Sequence, residues 1–245
     1  MLVNIVLETM LVVIAGVVAG VAVNDLVTRL PAALERSWRA EALHILELEA
    51  VVQHRSQPER LVSARMVAIV AGCTCISALV VWHIGFNWTA AAVLLCSWAL
   101  LALALIDAEH LLLPDDLVIP VLWLGLLVNS QGVVTDLQNA VLGAASGYLS
   151  LWAVHQVSRL VTGRGGIGYG DFKLFALLGA WGGWQLLPLI LFGAVLSGIA
   201  WWALQSVRTS ADLRRERPFG PHLALAGGIG ILSSASTYWP QISMW

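Results

Sequence analysis

Apolar residues fall along this chain in eight long runs separated by short polar breaks. The runs are Leu2–Val23, Met66–Ile84, Trp88–Ile106, Leu117–Asn129, Leu137–Val157, Phe172–Gly182, Trp184–Val207 and Leu223–Trp239. A helix needs ~20 apolar residues to cross the ~30 Å hydrocarbon layer of a bilayer, so the pattern predicts about eight transmembrane helices. The fourth and sixth runs are short, and a short span needs bilayer thinning or shelter among other helices. No tandem repeat and no low-complexity tract interrupts the series.

Composition agrees with membrane residence. Of 245 residues, 59% are hydrophobic before the 22 glycines are counted and 11% are charged, where ~25% is usual for a soluble domain. A soluble core of this size would leave too much apolar surface uncovered. The fold class is therefore an all-α polytopic membrane protein. A disordered chain and a disulfide framework are excluded, and a net charge of −2 with no basic stripe excludes a nucleic-acid partner.

The scarce charges give sidedness. With eight crossings, all 13 Lys and Arg fall on one side. Six (Arg29, Arg36, Arg39, Arg55, Arg60, Arg65) lie between the first and second runs; Arg159, Arg164 and Lys173 flank the loop before the sixth; Arg208, Arg214, Arg215 and Arg217 precede the eighth. The positive-inside rule makes that side cytoplasmic and puts the N-terminus outside. The chain then divides into a first transmembrane helix (1–23), a cytoplasmic segment (24–65) and a seven-helix core (66–245). Residues 1–23 read as a retained helix, because no basic residue precedes the apolar run and no small-residue cleavage signal follows it. Within the cytoplasmic segment, Leu34–Val52 has the apolar spacing of an amphipathic helix lying on the membrane. Trp82, Trp88, Trp184, Trp239 and Trp245 sit where an outer aromatic belt would lie. Cys73, Cys75 and Cys96 lie inside apolar runs without a nearby His, so they read as structural thiols and no metal site is expected.

Carboxylates at the ends of apolar helices are expensive to desolvate, which marks them as candidate functional groups. Asp107 ends the third run in ALIDAEHLLLPDD, and Asp171 opens the sixth in GGIGYGDFKLFALLGA, both at the cytoplasmic edge. Two carboxyls held close share a proton, so one can activate water while the other protonates a scissile carbonyl oxygen. Gly165, Gly166, Gly168 and Gly170 make a loop able to take positive φ and to admit a substrate backbone. The helix dipole at Asp171 favours its ionised form, which makes it the more readily ionised partner. Lys173 is placed to orient Asp171 or to touch the substrate backbone. Asp115 or Asp116 is expected to cap the fourth helix after Pro114. Glu109 and His110 read as solvent-exposed, and His83, His155 and His222 as residues of helix ends. A proton-coupled carrier using the same carboxyls as a relay is the alternative from another class; it would require acids near mid-membrane and inverted repeats.

The motifs resemble the bacterial type IV prepilin leader peptidases, intramembrane aspartic proteases of GxGD type. IDAEHLLLPDDLVIPVLWLGLL (Ile106–Leu127) is similar to the family's first aspartate region, GGIGYGDFKLFALLGAWGGW (Gly165–Trp184) to its GxGD block, and RPFGPHLALAG (Arg217–Gly227) to the start of its last helix. GVAVNDLVTRLP (Gly20–Pro31) resembles an N-terminal stretch, keeping Gly20, Asn24, Arg29, Leu30 and Pro31. The resemblance implies catalysis by Asp107 and Asp171, with Gly168 and Gly170 shaping the substrate loop. It implies cleavage, after Gly at the cytoplasmic face, of the short basic leader of type IV prepilins or type II secretion pseudopilins, in a multi-pass protein of the bacterial inner membrane surrounded by lipid. No cofactor is implied for proteolysis. Many members also methylate the new N-terminus with S-adenosylmethionine, a step to which Gly20 would belong. The family's two CxxC pairs are missing between Pro31 and Arg65, so zinc is not expected.

Overall fold

The computed structural model describes residues 2–45, 63–163, 168–208 and 217–242. Among them are eight α-helices: α1 (Leu2–Ile45), α2 (Ala64–Ile84), α3 (Trp88–His110), α4 (Asp115–Asn129), α5 (Leu137–Thr162), α6 (Tyr169–Gly182), α7 (Leu187–Arg208) and α8 (Gly220–Ile242). A 3₁₀ turn, Trp184–Leu186, leads into α7. The protein is an all-α membrane protein. Four of its helices, α1, α2, α3 and the stretch Trp184–Ser206, are long and apolar enough to cross a bilayer. At 15 and 14 residues, α4 and α6 are too short to cross unaided, being ~20 Å long at ~1.5 Å per residue.

Polar side chains mark the helix ends as the chain turns. Asn87 joins α2 to α3, its Oδ1 accepting from the Ala90 N–H at 2.8 Å while its Nδ2 donates to the Ile84 carbonyl at 2.8 Å. Asp136 caps α5 through the Asn139 N–H at 2.8 Å.

Helix α1 continues past residue 23, where the first membrane span is expected to end. It runs unbroken through Asn24 and Pro31 to Ile45. Positive charge ends a membrane span but not a helix, and Pro31 is accommodated inside α1. The amphipathic stretch expected over Leu34–Val52 is thus the distal part of α1 as far as Ile45, and its remainder lies outside the described residues.

Short α6 is sheltered rather than exposed. It packs against α4, α5 and α8, and every residue from Leu174 to Gly182 is buried. Gly143 and Gly147 of α5 bring that helix onto α6: a Cβ at Gly147 would stand 2.7 Å from the Phe175 carbonyl oxygen, and one at Gly143 would fall onto the Gly179 carbonyl. Small residues at such a crossing let two backbones approach in lipid. Trp181 fills the gap against α4, where Gly125 leaves room for its ring, and its Nε1 donates to the Val121 carbonyl at 2.9 Å.

The C-terminal end of α6 shows how a helix can stop inside a bundle. Asn129, buried at the end of α4, donates through Nδ2 to the carbonyls of Ala180 (2.9 Å) and Trp181 (3.0 Å). Its Oδ1 accepts from the N–H groups of Val134 (3.0 Å) and Thr135 (3.2 Å). One amide side chain therefore satisfies backbone groups of two segments that would otherwise be orphaned where water is scarce.

Cys73 and Cys96 are buried and Cys75 is exposed, all as free thiols. Trp82, Trp88 and Trp184 are exposed. Trp245 and the side chain of Trp239 lie outside the described residues.

Candidate active site

The C-terminal end of α3, the turn Leu111–Leu113 that follows it, and the first turn of α6 line one cavity of about 880 Å³, which both Asp107 and Asp171 face. The structure therefore brings together the two carboxyls singled out from the sequence. Leu151 and Val154 of α5 and Leu191 and Val195 of α7 form apolar walls; Arg217 and Phe219 border it ahead of α8.

Asp107 is 6% exposed. Its Oδ2 accepts a hydrogen bond from the Gly220 N–H at 2.9 Å, across 113 residues of chain. Gly220 is required there by space: a Cβ would fall 2.7 Å from Asp107 Oδ2 and 3.0 Å from its Cγ. The sequence motif FGP contained this glycine, but its partner is visible only in three dimensions. Below Asp107, α3 ends on Leu111, whose φ of 54° lies in the left-handed region and whose N–H donates to the Asp107 carbonyl at 2.9 Å. A non-glycine residue there is strained, and it turns the chain sharply into Leu112–Pro114, along the cavity.

Asp171 lies in the first turn of α6, its N–H donating to the Gly168 carbonyl at 3.1 Å. Gly168 lies beside the carboxyl, with its missing Cβ 3.4 Å from Asp171 Oδ2, and Gly170 lies under Leu113, where a Cβ would stand 2.9 Å from Leu113 Cβ. Both glycines line the cavity. Neither uses the positive φ expected of them; Gly168 has φ −69°. Close approach, not backbone handedness, accounts for Gly170. Gly165 and Gly166 lie outside the described residues. Each carboxyl meets a helix N-terminus, Asp171 that of α6 and Asp107 that of α8, so the dipole alone does not distinguish the two as expected.

Lys173 lines the cavity but does not bond Asp171. Its Nζ binds both carboxylate oxygens of Asp115, at 2.6 and 2.7 Å. Asp115 and Asp116 occupy the first turn of α4, and the N-cap is Pro114, without a side-chain bond. The capping role expected of an aspartate is thus replaced by an ion pair. Glu109 pairs with Arg65 at 2.8 Å, tying the start of α2 to the end of α3. His155 is buried on α5, its ring centroid 5.2 Å from Tyr169 and 5.5 Å from Phe172, so it packs the α6 entrance.

Gly20 lies elsewhere. It packs α1 on α2, with its missing Cβ 2.5 Å from Val70 Cα, and it does not line the cavity. The close approach of α2 at Val70 accounts for a glycine at this position. Among the described residues, no group of three His, Cys, Asp or Glu is placed to hold a metal ion.

Fold and site together define an all-α membrane protein with two carboxyl groups facing one cavity at a bundle end. The description "Type IV leader peptidase family" matches residues 94–203, which include both aspartates. A prepilin leader peptidase/N-methyltransferase of Stutzerimonas stutzeri is 38% identical, over 89% of this chain and 88% of that protein. Proteins of the same name from Pseudomonas aeruginosa and Aeromonas hydrophila are 40% and 34% identical, over 90% and 91% of this chain and 88% and 89% of theirs. The chain belongs to the type IV leader peptidase family. No solved structure matches it. The comparisons give no support to the carrier alternative.

Proposed function

We propose that this protein is an intramembrane aspartyl endopeptidase that removes the leader of type IV prepilins or type II secretion pseudopilins, with Asp107 and Asp171 as the reacting pair. The observation that carries the reading is that these two carboxyls, 64 residues apart in sequence, line the same cavity. One carboxylate takes a proton from water, whose oxygen attacks the scissile carbonyl carbon. The other, protonated, gives its proton to the carbonyl oxygen. Collapse of the tetrahedral intermediate returns a proton to the departing amine, so no covalent enzyme intermediate is needed. The Gly220 N–H holds Asp107 in one orientation through these steps, and burial keeps competing water low. Gly168, beside the Asp171 carboxyl, and Gly170, packed under Leu113, line the cavity that an extended substrate backbone would enter.

With eight crossings all 13 cations fall on one side, which supports a multi-pass protein of the inner membrane with the site at its cytoplasmic face. The apolar walls from α5 and α7 suit a substrate segment that stays in lipid. Many relatives carry methyltransferase in their names; S-adenosylmethionine would supply the methyl group if that activity is retained here. The purified protein in detergent, incubated with a prepilin, should yield a product shortened by the leader, read by mass spectrometry. Persistence of full-length prepilin would refute the peptidase reading. Added labelled S-adenosylmethionine reads methyl transfer separately, as label on the new N-terminus.

A further inference from the structure

The cavity wall carries a cation whose partner lies outside it. Lys173 follows Asp171 by two residues and lines the same cavity as both carboxyls, yet its Nζ rests on both oxygens of Asp115. Asp115 opens α4 and is half exposed, and the bond spans 58 residues of chain. The neighbouring charges are engaged elsewhere: Glu109 pairs with Arg65, and Arg217 donates to Gln205 at 3.3 Å.

A lysine ammonium on its flexible four-carbon stem moves to whatever carboxylate is within reach. With Asp115 removed, Lys173 keeps its place on the wall of the cavity whose lining carboxyls are Asp107 and Asp171. An ammonium seated between them would favour two ionised carboxylates and remove the proton they share, and with it the acid of the acid–base pair. We propose that Asp115 is a positioning residue for the peptidase reaction, holding the Lys173 ammonium away from Asp107 and Asp171. This rests on the reading of those two aspartates as the reacting pair.

A simple brace between α4 and α6 makes a different forecast, because it is lost equally when either end is removed. The test compares leader cleavage by the purified full chain, with kcat and KM measured separately. Asp115→Asn should lower kcat about tenfold or more, since the shared proton supports acid–base catalysis, with KM little changed. Asp115→Asn combined with Lys173→Gln should cleave several-fold faster than Asp115→Asn alone, because the stray ammonium is gone. Asp115→Glu should keep most of the rate, and Asp116→Asn, one residue away, should match wild type. An exposed ion pair contributes little to stability, so the variants remain folded. The proposal is overturned if Asp115→Asn keeps the wild-type kcat, or if the double variant is no faster than Asp115→Asn. Asp107→Asn tells the two readings apart: full cleavage by that variant removes the reacting pair itself, whereas an inactive Asp107→Asn beside a fully active Asp115→Asn removes only the role of Asp115.

Discussion

Gly220→Ala asks how Asp107 is held. The new Cβ would fall 2.7 Å from Asp107 Oδ2 and 3.0 Å from its Cγ, distances that the carboxyl relieves by rotating away, while the 3.1 Å contact with Asp107 Cβ is relieved by a shift of a few tenths of an ångström between α3 and α8. Rotation breaks the 2.9 Å bond from the residue 220 N–H. A hydrogen bond to a charged group contributes about 1.5–3 kcal/mol, and ~1.4 kcal/mol is tenfold in rate. Losing it from a reacting carboxyl therefore slows cleavage by roughly 10- to 150-fold. The assay is the initial rate of leader removal in detergent, with the unfolding temperature of each variant measured beside it. Two other glycines separate chemistry from packing. At Gly198 a Cβ would stand 3.7 Å from the His222 ring, an ordinary contact, so Gly198→Ala should change neither rate nor stability. At Gly227 it would fall onto the Leu178 side chain, so Gly227→Ala should lower the unfolding temperature while each folded molecule keeps its rate. A folded Gly220→Ala protein that cleaves within about twofold of wild type would refute the reasoning about Asp107.

Asn129→Ala orphans two carbonyls and two N–H groups that its amide serves; at about 1–3 kcal/mol for each buried group left unsatisfied, the unfolding temperature in detergent should drop by roughly 10 °C or more. Gly179→Val puts side-chain atoms onto the Gly143 carbonyl, so α5 and α6 separate and the yield of folded protein in the membrane should collapse, read by size-exclusion profile. A pair that shares one proton has no acid when both carboxyls are ionised and no base when both are protonated, so kcat/KM against pH should pass through a maximum and fall on both sides.

Asp107 and Asp171 were legible in the sequence because charge is rare there, and a carboxyl at the end of an apolar run stands out without any knowledge of contacts. The helix limits were legible for a similar reason: Ala64–Ile84 and Asp115–Asn129 begin and end within a few residues of their apolar runs. What sequence periodicity could not carry is pairing across distance. The bonds from Gly220 to Asp107, from Lys173 to Asp115 and from Asn129 to the end of α6 span 113, 58 and 51 residues, and each joins polar groups whose local surroundings suggest a different role. Asp115 looked like a cap because it follows a proline at a helix start, but Pro114 itself takes that position and the aspartate reaches sideways to α6. That α1 continues beyond Val23 was not legible, for a physical reason too, since the edge of the hydrocarbon layer changes which side chains are favoured without interrupting backbone hydrogen bonds along a helix.

The most direct test of the reacting pair is the rate of prepilin leader removal by Asp107→Asn and by Asp171→Asn, each purified, folded and compared with wild type under single-turnover conditions. Asn keeps the shape and the hydrogen-bond acceptor for the Gly220 N–H but can neither take nor give the proton, so each variant should lose at least about 10²- to 10⁴-fold in rate. Cleavage by either one at the wild-type rate would contradict the assignment of Asp107 and Asp171.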